Sequence, residues 1–427
     1  MRRFAGFLFP LIHLITRRIV DCFDEECIQN GSPSPTCIVT DNLPLTDKGE
    51  LNFRAMASVG NGYLATVIMS DEIHVSGVFN GRANVIPDEG ADRFRKIREN
   101  RKTLYPDWYY NHTHRARIPN PVSINYTLSG NRETKRLYIL DVKNGYFAQV
   151  VDNDIFTIHQ RTYAHRSFRN ILVTEIEINV KVVDNLNFTV QSNVGPESRD
   201  INFEHVSSTK DWELYKGPVN QTEYENSQRV SVALLHTKIP KFRILERGLT
   251  RDVYITSIST SLDDDGGDDP RIAALESYTQ AKELSDKMEL FQYHVVGWNT
   301  LWLEGGNITI EDDVFLAQTV FTSFYYIFSS VRDDWEHGLS PGSLAMGYEY
   351  MGHSFWDQET WMYPALLMFH PALGRSLLYY RVYRLQQAVN IAHKYHFKGE
   401  FCFDQFLIRA LRQDSHGLLR HVPIKPS

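Results

Sequence analysis

The residues with the clearest chemical potential lie in two linked segments, Gly338-Leu-Ser-Pro-Gly-Ser-Leu344 and Gly352-His-Ser-Phe-Trp-Asp-Gln-Glu-Thr-Trp-Met-Tyr-Pro364. Turn residues lead into a stretch dense in aromatics and carrying two carboxylates. Sugar sites are built from these parts, because rings stack on the apolar faces of pyranoses while carboxylates accept hydrogen bonds from hydroxyls. On a helix beginning near Trp356, Asp357 and Trp361 share a face at i and i+4, and Glu359 points elsewhere. Asp357 is thus the pocket candidate, although a carboxylate at the start of a helix is equally well explained by the helix dipole, and the aromatics by core packing. His353 reads as a structural histidine rather than a base. Cys/His metal spacing, Walker A and G-x-G-x-x-G are all missing from the sequence, which removes the main support for zinc and nucleotide-binding chemistry.

Residues 52–260, upstream of these segments, read as short strands separated by turns. Ile171–Val180 alternates, which places Val173, Ile176 and Ile178 in a half-buried strand with charged neighbours outward. Similar segments start at His74, Lys135, Phe147, Arg229 and Asp252, and Asn61-Gly62, Asn80-Gly81 and Asn144-Gly145 offer tight turns. This pattern predicts an antiparallel β-sandwich. No fixed-period repeat points to a propeller or solenoid. An acidic, Gly-rich stretch, Ser261–Pro270, then gives way to helical periodicity. Met288, Phe291, Val295, Trp298 and Trp302 form one aromatic stripe, read as core. Val314, Ala317, Phe321, Phe324, Phe328 and Val331 continue the spacing on a second helix from about Asp312, and Pro371 opens a third. Strands followed by helices indicate separate layers or domains, an α+β multidomain chain rather than alternating βα units.

Composition narrows the class further. A chain of 427 residues, 42% hydrophobic and 12% aromatic, is globular and long enough for several domains. A net charge of -7 without a cationic stripe argues against nucleic acid as a partner. The four cysteines, Cys22, Cys27, Cys37 and Cys402, do not suggest a disulfide framework. Six N-x-S/T sequons, at Asn30, Asn111, Asn125, Asn187, Asn220 and Asn307, matter only if the chain enters the secretory pathway. Arg2 and Arg3 precede an apolar run from Phe4 to Ile15, which is shorter than the roughly 20 residues of a membrane span. The run leaves a signal or anchor open, with a secretory or lysosomal location if it works as one and a cytoplasmic location otherwise.

With these residues in view, the sequence resembles glycoside hydrolase family 65, which includes disaccharide phosphorylases, acid trehalases and an animal glucosidase acting on glucosylgalactosyl-hydroxylysine of collagen. The resemblance runs through Ser58-Val-Gly-Asn-Gly-Tyr-Leu-Ala-Thr66, His74–Gly81, Tyr163-Ala-His-Arg166, Gly338–Leu344 and Gly352–Pro371, and extends to Tyr380-Arg381. It implies an N-terminal β-sandwich, a helical linker and the start of an (α/α)6 barrel that is incomplete in this chain. The corresponding divisions are an N-terminal segment 1–50, a sandwich 51–262, a linker 263–310, a partial barrel 311–398 and a divergent tail 399–427. The implied activity is inverting hydrolysis of an α-glucosyl disaccharide unit: an acid protonates the glycosidic oxygen while water attacks the anomeric carbon from the opposite face. A disaccharide phosphorylase, with phosphate as the nucleophile, and a non-catalytic carbohydrate-binding protein are the alternatives. The implied substrate is an oligosaccharide or glycosylated hydroxylysine, and neither a metal nor an organic cofactor is implied. Trp356 and Asp357 match the pair that holds the non-reducing glucose. Two departures stand out. Met351 replaces a Trp common in the family, and the match is lost after Lys398, before the expected Asp-Glu-Tyr-His-type motif that supplies the general acid. Neither Glu359 nor Glu400 fits that motif. Because general acid catalysis typically contributes about 10²- to 10⁴-fold, turnover by this chain is expected to be very low. A partial barrel would also leave apolar faces uncovered, which bears on whether the chain folds stably.

Overall fold

The computed structural model describes Cys27 and residues 34–81, 113–128, 134–182, 186–192, 198, 200–223, 227–263, 269–305, 308–346, 350–386 and 388–389. The apolar run at Phe4–Ile15, the sequons at Asn30, Asn111 and Asn307, and the tail at 399–427 with Glu400 lie outside the described residues.

Strands are numbered along the chain. The first eight are β1 (Cys37–Thr40), β2 (Ser58–Gly60), β3 (Leu64–Val67), β4 (Glu72–Val75), β5 (Phe79–Asn80), β6 (His114–Arg115), β7 (Ile118–Pro119) and β8 (Ile124–Leu128). There follow β9 (Lys135–Asp141), β10 (Tyr146–Asp152), β11 (Phe156–Ala164), β12 (Ile171–Val180) and β13 (Leu186–Ser192). The last are β14 (Glu204–Ser208), β15 (Trp212–Pro218), β16 (Ser231–Thr237), β17 (Phe242–Leu245) and β18 (Gly248–Thr260). Nine of them form one antiparallel sheet in the order β1-β9-β10-β11-β12-β18-β16-β15-β14, and smaller sheets run β17-β13-β8, β2-β3-β4-β7 and β5-β6.

The expected alternation in β12 needs correcting. Leu172, Ile176 and Ile178 join a core shared with Ile73, Ile118, Phe188 and Val190 of the small sheets. Ile171 and Val173, on the opposite face, pack with Tyr278 and Phe291 of the following helices. The strand lies between β11 and β18, so both its faces are covered and even Glu175 is buried. A central strand with two covered faces cannot follow the apolar-in, polar-out rule of a half-exposed one. Glu175 is instead satisfied by the Tyr163 hydroxyl, which donates to its Oε1 at 2.7 Å, and by Arg251 at 3.3 Å.

Helices follow the sheets. Helix α1 (Pro270–Asp286) starts at Asp269, which caps Arg271 N, with Pro270 in the first turn where its missing N–H costs nothing. Helix α2 (Leu290–Glu304) carries the aromatic stripe. Phe291, Val295 and Trp298 are buried, whereas Met288 precedes the helix and is exposed. Gly145, with φ +70°, turns β9 into β10 directly beneath the ring, and a Cβ there would fall 2.1 Å from Trp298 Nε1. Helix α3 (Val314–Phe328) is capped by Asp313, whose side chain accepts from Leu316 N at 2.9 Å. Helices α4 (Tyr363–Phe369) and α5 (Pro371–Tyr383) complete the described helical part. The architecture is therefore a multi-sheet, sandwich-like region followed by a partial helical domain. Among the described residues no helix is long and apolar enough to cross a membrane.

One further correction concerns the cysteines. Cys27 and Cys37 form a disulfide with Cα atoms 5.8 Å apart. Their ten-residue separation carries no recognisable spacing signal; the pairing arises because β1 is held on the edge of the nine-stranded sheet against β9. The bond also uses the two sulfurs that, with Asp141, would otherwise form a candidate metal cluster.

Candidate functional site

The candidate segment sits where the small sheets meet the helical part, and buried polar side chains hold it there. Arg115 of β6 is 2% exposed. Its Nη1 donates to Ser343 O and Leu344 O, both at 3.0 Å, and its Nη2 to Gly352 O at 2.8 Å. A single guanidinium thus ties the end of the first motif to the start of the second. Burial pulls its pKa down to about 10. His74 of β4 donates from Nδ1 to Ala345 O at 3.0 Å, and burial holds this imidazole neutral, with a pKa of about 3. Tyr350, Met351 and Gly352 all have positive φ, as does Ser343. For non-glycine residues this backbone is costly, about 1–3 kcal/mol each, and persists where surrounding contacts over-determine it. Arg115 provides those contacts.

His353 donates from Nε2 to Thr113 O at 2.6 Å and stacks on Phe79, with centroids 4.9 Å apart. It acts as an anchor to the sandwich edge. Met351, at the position expected to weaken a stacking surface, is buried. Gly338 allows the first turn to lie flat against the helices, since a Cβ there would fall 2.0 Å from Ser354 Oγ and 2.7 Å from the Tyr380 ring.

Trp356 is 45% exposed and Asp357 partly exposed. The segment that follows is a π-turn, Gln358–Met362, before α4 begins. With i→i+5 hydrogen bonding the stacked neighbours shift by one residue, and Trp361 lies beside Trp356, centroids 6.1 Å apart. The i, i+4 pairing expected from an α-helix is replaced by this geometry. Asp357 makes no side-chain capping hydrogen bond, so its carboxylate is not committed to the helix start. Glu359 points toward α5, where Arg381 donates from Nε to Oε1 at 2.7 Å and from Nη2 to Oε2 at 2.9 Å. The same Nη2 donates to Phe355 O at 3.1 Å, while Gln358 accepts from Leu339 N at 2.8 Å and donates to Glu359. The backbone on either side of Trp356 and Asp357 is therefore braced by a bidentate ion pair and an amide bridge.

Two further motifs, distant in sequence, meet at the adjoining seam. Asn61 O accepts from Arg166 Nη1 at 2.8 Å and from Arg332 Nη1 at 3.1 Å. Asn61 Nδ2 donates to His165 O and Arg169 O, both at 2.9 Å. Trp335 donates from its indole to Ser76 O at 3.0 Å. Ser58–Thr66 and Tyr163–Arg166 thus tie the sheets to the end of α3 and to the chain leading into the candidate site. Their common location could not be read from spacing, because it depends on tertiary pairing across more than a hundred residues.

Residues 328–405, which contain the whole of this segment, match the glycosyl hydrolase family 65 central catalytic domain. The chain is related to glycosyl hydrolase family 65. It is 34% identical over 352 residues to a protein-glucosylgalactosylhydroxylysine glucosidase of Dictyostelium discoideum, covering 80% of this chain and 45% of that protein. It is 28% identical to the mouse protein of the same name, covering 81% and 47%, and 26% identical to a kojibiose hydrolase of Flavobacterium johnsoniae, covering 66% and 45%. Among solved structures, a putative kojibiose phosphorylase from the human microbiome superimposes with a TM-score of 0.64 at 14% identity, over 84% of this chain and 50% of that one, a likeness of fold. The chain spans about half the length of the curated relatives it matches. The family 65 segment lies at the Trp356–Asp357 turn and its braces.

Proposed function

We propose that this chain carries the glucose subsite of an inverting α-glucosidase of family 65, which acts on an α-glucosyl disaccharide unit such as that of glucosylgalactosyl-hydroxylysine, and that Trp356 and Asp357 line that subsite. The observation that carries this reading is the combination of a half-exposed indole and an uncommitted carboxylate on a backbone braced by Arg115, Gln358 and the Glu359–Arg381 pair. Ring and carboxylate would meet the apolar face and the hydroxyls of one pyranose, respectively. Three relatives that carry the glucosidase name, at 27–34% identity, and a kojibiose hydrolase at 26% support hydrolysis. The reading also assigns residues 51–262 to a sandwich domain, 263–310 to a linker and 311–398 to the first part of an (α/α)6 barrel. Exposed apolar residues on the helices, among them Leu303, Phe315, Trp361, Met368 and Val382, support the last assignment, since these are faces that further barrel helices would cover.

The test is glucose titration by calorimetry with the 427-residue chain and with Trp356→Ala and Asp357→Ala. Each variant should lose glucose binding while keeping the parent's melting temperature within a few degrees. Unchanged affinity in both variants would remove the subsite from Trp356 and Asp357. A phosphate arm in the activity assay separates hydrolase from phosphorylase.

A further inference from the structure

We propose that Asn125, Asn187 and Asn220 are N-glycosylated, which makes this chain a glycoprotein of an oxidising secretory lumen. The sequons Asn125-Tyr-Thr127, Asn187-Phe-Thr189 and Asn220-Gln-Thr222 lie among the described residues, and all three asparagines are exposed. Among the described residues, the buried asparagines Asn61, Asn80, Asn120 and Asn144 belong to no sequon.

Strand geometry makes the first two more specific. Residues i and i+2 of a strand face the same way, so each N-x-T sequon on a strand puts its Asn and Thr on one face. In β8, Asn125 and Thr127 are exposed; in β13, Asn187 is exposed while Phe188 and Val190 turn into the core. These strands are neighbours, with Thr127 opposite Thr189 and Asn125 opposite Gln191. Both sequons therefore lie on the outward face of one small sheet.

That face also has something to cover. Strand β17 is an edge of the sheet, and its Phe242 and Ile244 are 53% and 57% exposed. They are the register partners of Thr189 and Asn187. An exposed edge strand carrying apolar side chains is a template for pairing with another chain. A bulky polar glycan on Asn187 would stand beside both residues and block that approach. The third sequon follows β15, where Asn220 is exposed and its backbone N donates to Asp200 O at 2.8 Å.

The compartment is supported independently by the Cys27–Cys37 disulfide, since such bonds form and persist in oxidising lumens and are rare in the cytosol. Arg2 and Arg3 followed by the apolar run Phe4–Ile15 have the charge order of a segment that directs a chain there. In the transfer itself, asparagine Nδ2 bonds to C1 of the first sugar of a lipid-linked oligosaccharide diphosphate. The C1–oxygen bond breaks, the diphosphate departs with its electron pair, and the amide proton passes to a base of the transferase.

The experiment uses the full chain expressed in secretion-competent eukaryotic cells, with Asn30, Asn111 and Asn307 replaced by Gln so that only the three described sites report. Treatment with peptide-N-glycosidase F should increase electrophoretic mobility by three glycan steps. Asn125→Gln, Asn187→Gln and Asn220→Gln should each remove one step, and Thr127→Ala should match Asn125→Gln. Any site whose variant leaves the ladder unchanged is lost from the proposal. No enzyme-sensitive shift overturns it altogether, and maleimide labelling of the same sample then locates the failure. Unreactive Cys27 and Cys37 would mean a lumenal chain whose sites were passed over, and reactive ones a chain that never entered.

Discussion

Replacing Arg115 with Met tests how the sandwich positions the candidate site. The substitution keeps the aliphatic stem but removes three charge-assisted hydrogen bonds, to Ser343 O, Leu344 O and Gly352 O. Hydrogen bonds to charged groups contribute about 1.5–3 kcal/mol each, so the three give roughly 6 kcal/mol. Opposing this is the desolvation that lowers the guanidinium pKa from 12.5 to about 10, which at about 1.4 kcal/mol per unit amounts to roughly 3 kcal/mol. The net loss is about 3 kcal/mol. For a unit of about 200 residues, 1 kcal/mol moves the melting temperature by about 2–4 °C, so differential scanning calorimetry should show Arg115→Met melting roughly 10 °C below the parent. The segment holding Gly352 should also become more accessible to protease in the folded state, because three consecutive left-handed residues lose the contacts that maintain them. A melting temperature within about 2 °C of the parent, with unchanged proteolysis, would refute the assignment of Arg115 as the brace.

Other expectations follow from the same contacts. Asp200 is fully buried and bonded by Arg117 and His114. Burial alone would raise its pKa, but the charges of Arg117 and His114 outweigh it and hold the group well below the usual carboxylate range. A depressed folded pKa gives stability that is complete above the unfolded value of about 3.9 and is lost as pH falls below it. The parent should therefore lose more stability between about pH 5 and about pH 2 than Asp200→Asn does, read by urea titration. Trp298→Ala removes a fully buried indole and should cost about 4 kcal/mol in the same titration. Arg381→Met releases both Glu359 and Phe355 O; it should weaken glucose binding by about tenfold, or about 1.4 kcal/mol, in calorimetry. Because the ion pair is half-exposed, it should change the melting temperature little.

What the sequence made legible, and what it hid, follows physical lines. Local signals were readable: Asp313 caps α3, Pro371 opens α5, and Asn61-Gly62 and Asn144-Gly145 turn where glycine has positive φ. Strands β9, β10, β16 and β18 fall on the segments their alternation marked. The two-sided burial of β12 was hidden, because a central strand is identified by its neighbours rather than by its own pattern. The π-turn at Gln358–Met362 was also hidden, since one extra residue per turn leaves the aromatic spacing looking α-helical. The braces around the Trp356–Asp357 turn were the least legible. Arg115 and Arg381 lie in unremarkable local sequence and gain their roles from carbonyls and carboxylates brought to them by the fold. The motif residues could be listed in order, but only the structure shows that Ser58–Thr66 and Tyr163–Arg166 share one seam.

The most direct test is glucose release from glucosylgalactosyl-hydroxylysine and kojibiose, with and without phosphate, by the 427-residue chain beside a version joined after Lys398 to the remaining part of the Dictyostelium discoideum relative. We expect phosphate-independent glucose release by the joined protein, abolished by Asp357→Ala, and very low release by the chain on its own. Absence of turnover by a folded joined protein, or turnover unaffected by Asp357→Ala, would contradict the glucosidase assignment and the placement of its glucose subsite.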